Sequence, residues 1–452
     1  MRSIFALCGL AFLVLNATPA PAATVHVPTD VPTIQLAIMA AQAGDEVVVA
    51  PGVYYETIDL LGKAITVRGA GSAESTIIDG SDFNQAVIRC DSNETTATVI
   101  RNLTIRHGRG TAVAGATIGG GMLVQNANPR IIRCIFEDNH AANGGGAIAI
   151  SLASPRIDDC TFILNSTSIV GQGGGAILIE GGAPVIRRAR FFTNDGGFLG
   201  GAISMIGSAA TLSDCLFVAN EAVLGGAVRV SGGAPRIVNG TFSHNAADPM
   251  ITGSGSAIRC DSKAQLALTN SILWETGETP LVDLAGATTT ASHCTIQFGF
   301  EGEAILTSNP RFLDPAGDDD VIGTLDDVFG LRANSPAIDA GTNSALVAET
   351  ILDLLRRNRV IDGDGDQSPI VDHGAAEFEP IVCAADCQPM TSQGIGNGVV
   401  NIDELIAVIN AMGTTDTPCD VAPSNPDGSF GDGVIDIDDL VTVITSFGGC
   451  GT

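Results

Sequence analysis

The chain has 452 residues, with 50 acidic against 22 basic side chains and a formal charge of −28. So acidic a surface repels phosphate, which argues against nucleic acid and anionic lipid as partners. Hydrophobic residues at 45% exclude a disordered chain, and 55 Gly without a three-residue period exclude collagen.

Residues 1–22 read as a secretory signal. Arg2 gives a positive start, Ile4 to Leu15 is almost wholly apolar, and Ala20-Pro21-Ala22 offers small residues for cleavage. The apolar run is too short to span a bilayer, and no later stretch is a membrane-spanning candidate. The sequence therefore predicts a secreted, extracellular or cell-surface protein.

Thr33 to Ala41 comes after Pro32 and stops before Gly44, the pattern of a short helix. It is expected to cap the N-terminal end of the repeat region. Short strands are expected at Glu46 to Ala50 and Ala64 to Arg68, with a turn at Pro51-Gly52.

The middle of the chain repeats itself. Gly-Gly-Ala-Ile occurs at Gly145, Gly174 and Gly200, with Gly225-Gly226-Ala227-Val228 as a variant. Phe-x-x-Asn occurs at Phe136, Phe162, Phe191, Phe217 and Phe242. Its Asn residues fall 26, 29, 26 and 25 positions apart, the spacing of a stacked array. Short alternating apolar runs broken by Gly, Pro and Asn exclude a helical array and predict a parallel β-helix. In it, like positions of successive coils face one another. The five Phe are expected to stack inside, and Asn139, Asn165, Asn194, Asn220 and Asn245 to form an amide ladder at a turn. Cys134, Cys160, Cys215 and Cys294 share one inward column, read either as a metal or redox site or as small buried hydrophobes.

Val31-Pro32-Thr33-Ile34-Gln35, Gly44-Asp45, the Gly52-x-Tyr54-x-Glu56 element and Gly62 to Val67 together resemble the opening coil of the pectin lyase-like right-handed β-helix superfamily. Pectin methylesterases share Gly-x-Tyr-x-Glu, and in many β-helix proteins of other function it is structural. The Gly-Gly-Ala-Ile and Phe-x-x-Asn pair resembles polymorphic outer-membrane autotransporter passengers, which are adhesins. Together these resemblances imply an all-β, right-handed, single-stranded parallel β-helix over residues 23–380. The segment from Asn309 to Ala375 resembles the closing part of surface-anchored β-helix proteins. Within it Asp362, Asp364 and Asp366 alternate as at the start of a calcium loop that Asp372 could complete; an acidic solvated turn is the other reading.

Residues 381–452 form a second unit. The final 93 residues hold 16 acidic and no basic side chains, which suggests a cation. Asn397 to Ile406 aligns without gaps with Asp432 to Val441, each a polar loop leading into a short amphipathic helix that ends at Gly. Oxygen donors at loop positions 5, 9 and 12 with Gly at 6 suit calcium. The candidate ligands are Asn397, Val399 (backbone), Asn401 and Glu404 in the first loop, and Asp432, Val434 (backbone), Asp436 and Asp439 in the second. A one-residue insertion adds Asp427 to the second loop. Positions 1 and 3 otherwise lack carboxylates, so a pseudo-site held by disulfides is the alternative. Cys383, Cys387, Cys419 and Cys450 could form two disulfides, in any of three pairings. The duplicated loop-helix resembles dockerin domains of the Gly-Cys type. That implies calcium-dependent folding and attachment to a protein or cell-surface partner.

Enzyme signatures are weak. Only Lys63 and Lys263 could serve as a lysine base, and only Trp274, Tyr54 and Tyr55 could offer a sugar platform other than Phe. Carboxylate pairs such as Asp79 with Asp82, or Asp158 with Asp159, could do acid–base work but arise by chance in so acidic a chain. His140 and His244, each beside a turn Asn, read as surface residues. No catalytic residue is assigned. The expected function is a structural, adhesive or binding element on a calcium-dependent tail. The alternative is a polysaccharide-active lyase, hydrolase or esterase, and extracellular polysaccharide is a candidate partner. An outward groove with clustered Asp and an Arg in reach would favour the enzyme.

Overall fold

A computed structural model describes residues 22–168, 171–275, 279–346 and 351–379. The expected secretory signal 1–22, apart from its last residue, and the duplicated segment with its candidate calcium ligands and four cysteines lie outside them.

The described chain is an all-β parallel solenoid. Each coil contributes short strands to three parallel ladders. The first ladder starts with Thr24–Val27, Glu46–Val49 and Thr66–Gly69, and ends with Gln265–Thr269, Thr288–Ile296 and Gly302–Leu306. The second runs from Gly52–Tyr54 to Ile272–Trp274 and then joins the long strand Thr288–Ile296. The third is a nine-stranded sheet from Ile58–Asp59 to Leu281–Asp283. Between the first and second ladders most coils turn on a single residue with positive φ, including Arg133, Asp159, Arg188, Asp214 and Asn239.

Repetition along the sequence becomes stacking in space. The rings of Phe136, Phe162, Phe191, Phe217 and Phe242 are fully buried and stacked nearly parallel, with centroids 5.2, 4.8, 4.7 and 4.5 Å apart. The Asn ladder forms as expected. The Nδ2 of each Asn from Asn139 to Asn220 donates to the Oδ1 of the next at 2.9–3.0 Å. That Oδ1 also accepts the backbone N–H of the preceding Asn. Glu275 ends the ladder, accepting the backbone N–H and Nδ2 of Asn245. Every amide of the ladder is thus buried and paired, which a buried polar column requires.

The cysteine column is part of the core. Cys134, Cys160, Cys215 and Cys294 are buried free thiols that donate to backbone carbonyls. Burial pushes Cys215 and Cys294 up to about 12 and Cys160 well above its ordinary value, so these side chains stay neutral and pack as small apolar groups.

The helix Ile34–Ala40 buries Ile34, Ala37 and Ile38 against the first strands. The Gly-x-Tyr-x-Glu element is tied to it. Glu56 accepts the N–H groups of Ile34 and Gln35, and Tyr54 donates to the Ala50 carbonyl. Lys63 donates to the carbonyls of Ile38, Met39 and Ala41, each at 2.8 Å, so one of only two lysines is spent closing a helix C-terminus.

The segment after Leu306 departs from expectation. It does not simply close the end of the solenoid but folds back along its side. The antiparallel pair Phe312–Asp314 and Val328–Leu331, with residues 335–346 and 351–378, covers the outward face of the second ladder. The reason is apolar: Phe192, Leu216, Val218 and Ile272 point outward there and form a second core with Phe312, Phe329, Leu354 and Ala375. This flap is pinned by Arg359, fully buried, whose guanidinium meets Asp214 at 3.0 Å, Glu377 at 2.8 Å and the carbonyl of Gly374. Asn270 and Thr342 exchange hydrogen bonds, Ala375 N–H donates to Thr241, and buried His373 pairs with Thr295.

Candidate functional site

Where the flap leaves the second ladder it frames a cleft of about 550 Å³. Trp274, the one tryptophan of the chain, is half-buried in its wall, directly in register with Ser243 on the neighbouring coil. Inward residues Phe242 and Leu273 fix which way that strand faces, so Ser243 and Trp274 stand outward. His244, held by positive φ at the corner, contacts the Ser243 hydroxyl at 2.9 Å. Burial lowers its affinity for a proton, so the ring is neutral at neutral pH.

The opposite wall carries Arg311 and Arg332. Arg311 donates one N–H to the Asn334 carbonyl, and Arg332 donates from Nε and Nη2 to the carbonyls of Phe312 and Leu313. Each guanidinium has five N–H donors, so both keep donors for a ligand. Glu275 also lines the cleft but is committed to the Asn ladder and only 3% exposed. The arrangement offers an indole face, a neutral imidazole and two guanidinium groups. It can stack on a ring and hydrogen-bond to oxygens. Sequence reasoning singled out Trp274 and His244 but not the two arginines, which reach the cleft only because the flap folds back.

The carboxylate pairs that could have done acid–base work are engaged elsewhere. Asp79 is buried and bonded to Arg106 and His107. Burial alone would raise it, but hydrogen bonds from Ser81, His107 and Arg106 outweigh that and bring it down to about 2. Asp82 is exposed. Asp158 bridges Arg156 and Arg187, and Asp159 takes two bonds from Arg188. Asp79, Asp158 and Asp159 are anchors of the coils. His140 is half-buried and meets the Ser166 hydroxyl at 3.1 Å.

On the outward face of the third ladder, Arg229 bonds Asp261 through Nε and Nη2 at 3.0 and 3.1 Å, and Arg259 lies 3.7 Å from the same carboxylate. That is one Asp between two Arg. Farther toward the N-terminus the same face is covered by the hairpin Thr111–Val113 and Ala116–Ile118, packed near Leu123, Ala149 and Leu178.

The acidic loop is partly as expected. Asp362 and Asp364 approach one another, but the third member of the cluster is Asp339, not Asp372 or Asp366. Asp372 turns away and accepts the N–H groups of Asp339 and Phe378. Asp339 accepts N–H from Gly363, Asp364 and Ile370. The cluster is thus already engaged by backbone donors. The spacing of the loop does not point to Asp339, because it stands 23 residues before Asp362.

The family described as "Right handed beta helix region" matches residues 63–261. With the parallel ladders, this defines a right-handed parallel β-helix. A metabotropic glutamate receptor-like protein R of Dictyostelium discoideum is 28% identical over 154 residues, 34% of this chain. The chain spans 9% of that relative's length. Among solved structures, an alginate lyase from Paenibacillus sp. is 13% identical, covering 63% of this chain and 98% of its own, with a TM-score of 0.43. Pectate lyase Pel9A is 14% identical, covering 77% and 91%, with a TM-score of 0.43. A carrot pectin methylesterase is 14% identical, covering 60% and 89%, with a TM-score of 0.35. Among the described residues no helix is long and apolar enough to cross a membrane.

Proposed function

We propose that the chain is a secreted β-helix binding element that holds an extracellular saccharide in the Trp274 cleft. The observation that carries this reading is the partly buried indole lining one cleft with two guanidinium groups that keep spare donors. A sugar ring stacks on the indole, and carboxylate or hydroxyl oxygens meet Arg311 and Arg332; an acidic saccharide suits both. In this reading the helix Ile34–Ala40 closes the N-terminal end. Residues 381–452 attach the β-helix, as a dockerin-like module, to a protein or cell-surface partner. Calcium would bind there through Asp427, Asp432, Val434, Asp436 and Asp439, and through Asn397, Val399, Asn401 and Glu404.

The test is binding of the full chain to a panel of acidic and neutral polysaccharides, with product release measured in parallel. Saturable binding that Trp274→Ala weakens by about tenfold, without turnover, supports the reading. Turnover would replace it with the polysaccharide-active alternative, for which the Arg229–Asp261–Arg259 cluster is the place to look. Equal binding by wild type and Trp274→Ala would remove the cleft from consideration. For the tail, a chelator is expected to abolish the helical signal of residues 381–452; an unchanged signal would count against calcium.

A further inference from the structure

A second cleft lies on the same face of the solenoid, its floor running from the coil of Ile135 to that of Thr241. Its volume is about 460 Å³, and it opens between the outward side of the second ladder and the flap residues Leu325–Gly330 and Leu354–Leu355. Arg190 stands on its floor. The register places Arg190 between Thr161 and Leu216 on the adjoining coils, with Ile135 and Thr241 beyond them. It is the one charge in that stretch of the outward column.

Among the described residues the Arg190 guanidinium has no hydrogen bond and no ion pair. The nearby acids are already engaged. Asp159 is bonded to Arg188, and Asp353 to Arg357 and to the backbone N–H groups of Leu355, Arg357 and Glu377. Its nitrogens are not among the buried unpartnered atoms, so they reach the cleft and their donors are open to a ligand that displaces water. Burial also lowers its proton affinity, against weak support from Asp159 and Asp353, without neutralising a guanidinium.

The rest of the cleft says what kind of anion fits. Leu325, Val328 and Leu355 at its mouth are 59%, 38% and 48% exposed, an apolar rim that no other described residue covers. Asp326 and Asp327 sit beside them, their carboxylates fixed by Thr324 and by the N–H groups of Asp319 and Gly323. With Glu74, which also lines the cleft, three carboxylates disfavour a dianion such as phosphate more than a monoanion, while one guanidinium in reach favours a single carboxylate.

We infer that the cleft over Arg190 is a binding site for a small monocarboxylate with an apolar tail. The carboxylate pairs with the guanidinium in a two-point fork, and the tail lies along Leu216, Val328 and Leu355. The site is separate from the Trp274 cleft and does not depend on the saccharide reading.

The experiment titrates the full chain with hexanoate, hexanamide and inorganic phosphate by calorimetry. Hexanoate is expected to bind saturably at one site, at least about tenfold more tightly than hexanamide, and Arg190→Gln to remove that difference. Leu355→Asp, at an exposed position that leaves the solenoid core untouched, is expected to weaken hexanoate as well. Hexanoate binding no tighter than hexanamide, or unchanged in Arg190→Gln, overturns the inference. So does phosphate binding as tightly as hexanoate. Should Arg190→Gln fail to fold, the hexanoate–hexanamide comparison and Leu355→Asp still decide the matter.

Discussion

Replacing Arg359 by alanine is expected to release residues 351–378 from the side of the solenoid while the coils stay folded. Arg359 is fully buried and is the shared partner of Asp214 on the solenoid and Glu377 on the flap, with the Gly374 carbonyl as third acceptor. Its removal leaves two buried carboxyl groups facing each other without a cation. Breaking a buried ion pair from one side costs about 3–5 kcal/mol. Residues 351–378 add only Leu354 and Ala375 to the buried members of the second core, so a loss of that size is expected to free this part of the flap first. Hydrogen exchange checks this: amides of residues 353–378 should lose protection, while those of the Phe-stack coils keep theirs. Arg359→Lys is expected to rescue poorly, because an ammonium cannot span three acceptors in a planar fork. Unchanged flap protection in Arg359→Ala would show that the apolar contacts alone hold it.

Phe191→Ala is the second large effect. Phe191 lies in the middle of the stack, with Phe162 at 4.8 Å and Phe217 at 4.7 Å. Truncating a buried Phe costs about 3–5 kcal/mol, and each lost ring pair adds about 0.5–1.5 kcal/mol. Adjacent coils cannot close the gap, because their spacing is set by the ladder hydrogen bonds at about 4.8 Å. Phe242, at the end of the stack, has a ring neighbour on one side only, since Leu273 takes the next place in the column. Phe242→Ala should therefore cost less. Urea unfolding of the two variants orders them; equal costs would mean that the stack contributes by burial alone.

What could be read in the sequence was whatever repeats. The Phe stack, the Asn ladder and the cysteine column recur from coil to coil, so spacing alone assigns each to one column. Glu275 escaped because it breaks the repeat: the ladder needs an acceptor at its end, and a carboxylate serves where an amide would leave a donor unmet. The flap escaped for another reason. Arg359 and Asp214 are 145 residues apart, and no period links them. The Trp274 cleft was half legible. Its ring was conspicuous as the lone indole, but Arg311 and Arg332 join it through a fold-back that only the outward apolar residues Leu216 and Ile272 hint at. Arg190 gave no signal at all, since an arginine in a strand reads as solvated until a flap is known to cover it.

The flap also changes how the molecule answers a pull. In a bare stack each coil touches only its neighbours, so load applied at one end peels coils away singly. Here the same strap is tied to the corner residue Asp159 through Arg356, to Asp214 through Arg359 and to Thr295 through His373. The first and last of those anchors lie five coil steps apart in the ladder register. At the spacing of paired strands that is roughly 24 Å along the axis. The strap works as a splint across the C-terminal half. Tension on a tail joined beyond residue 379 would reach several coils at once, and that half should rupture as one block while the N-terminal coils still unzip one by one.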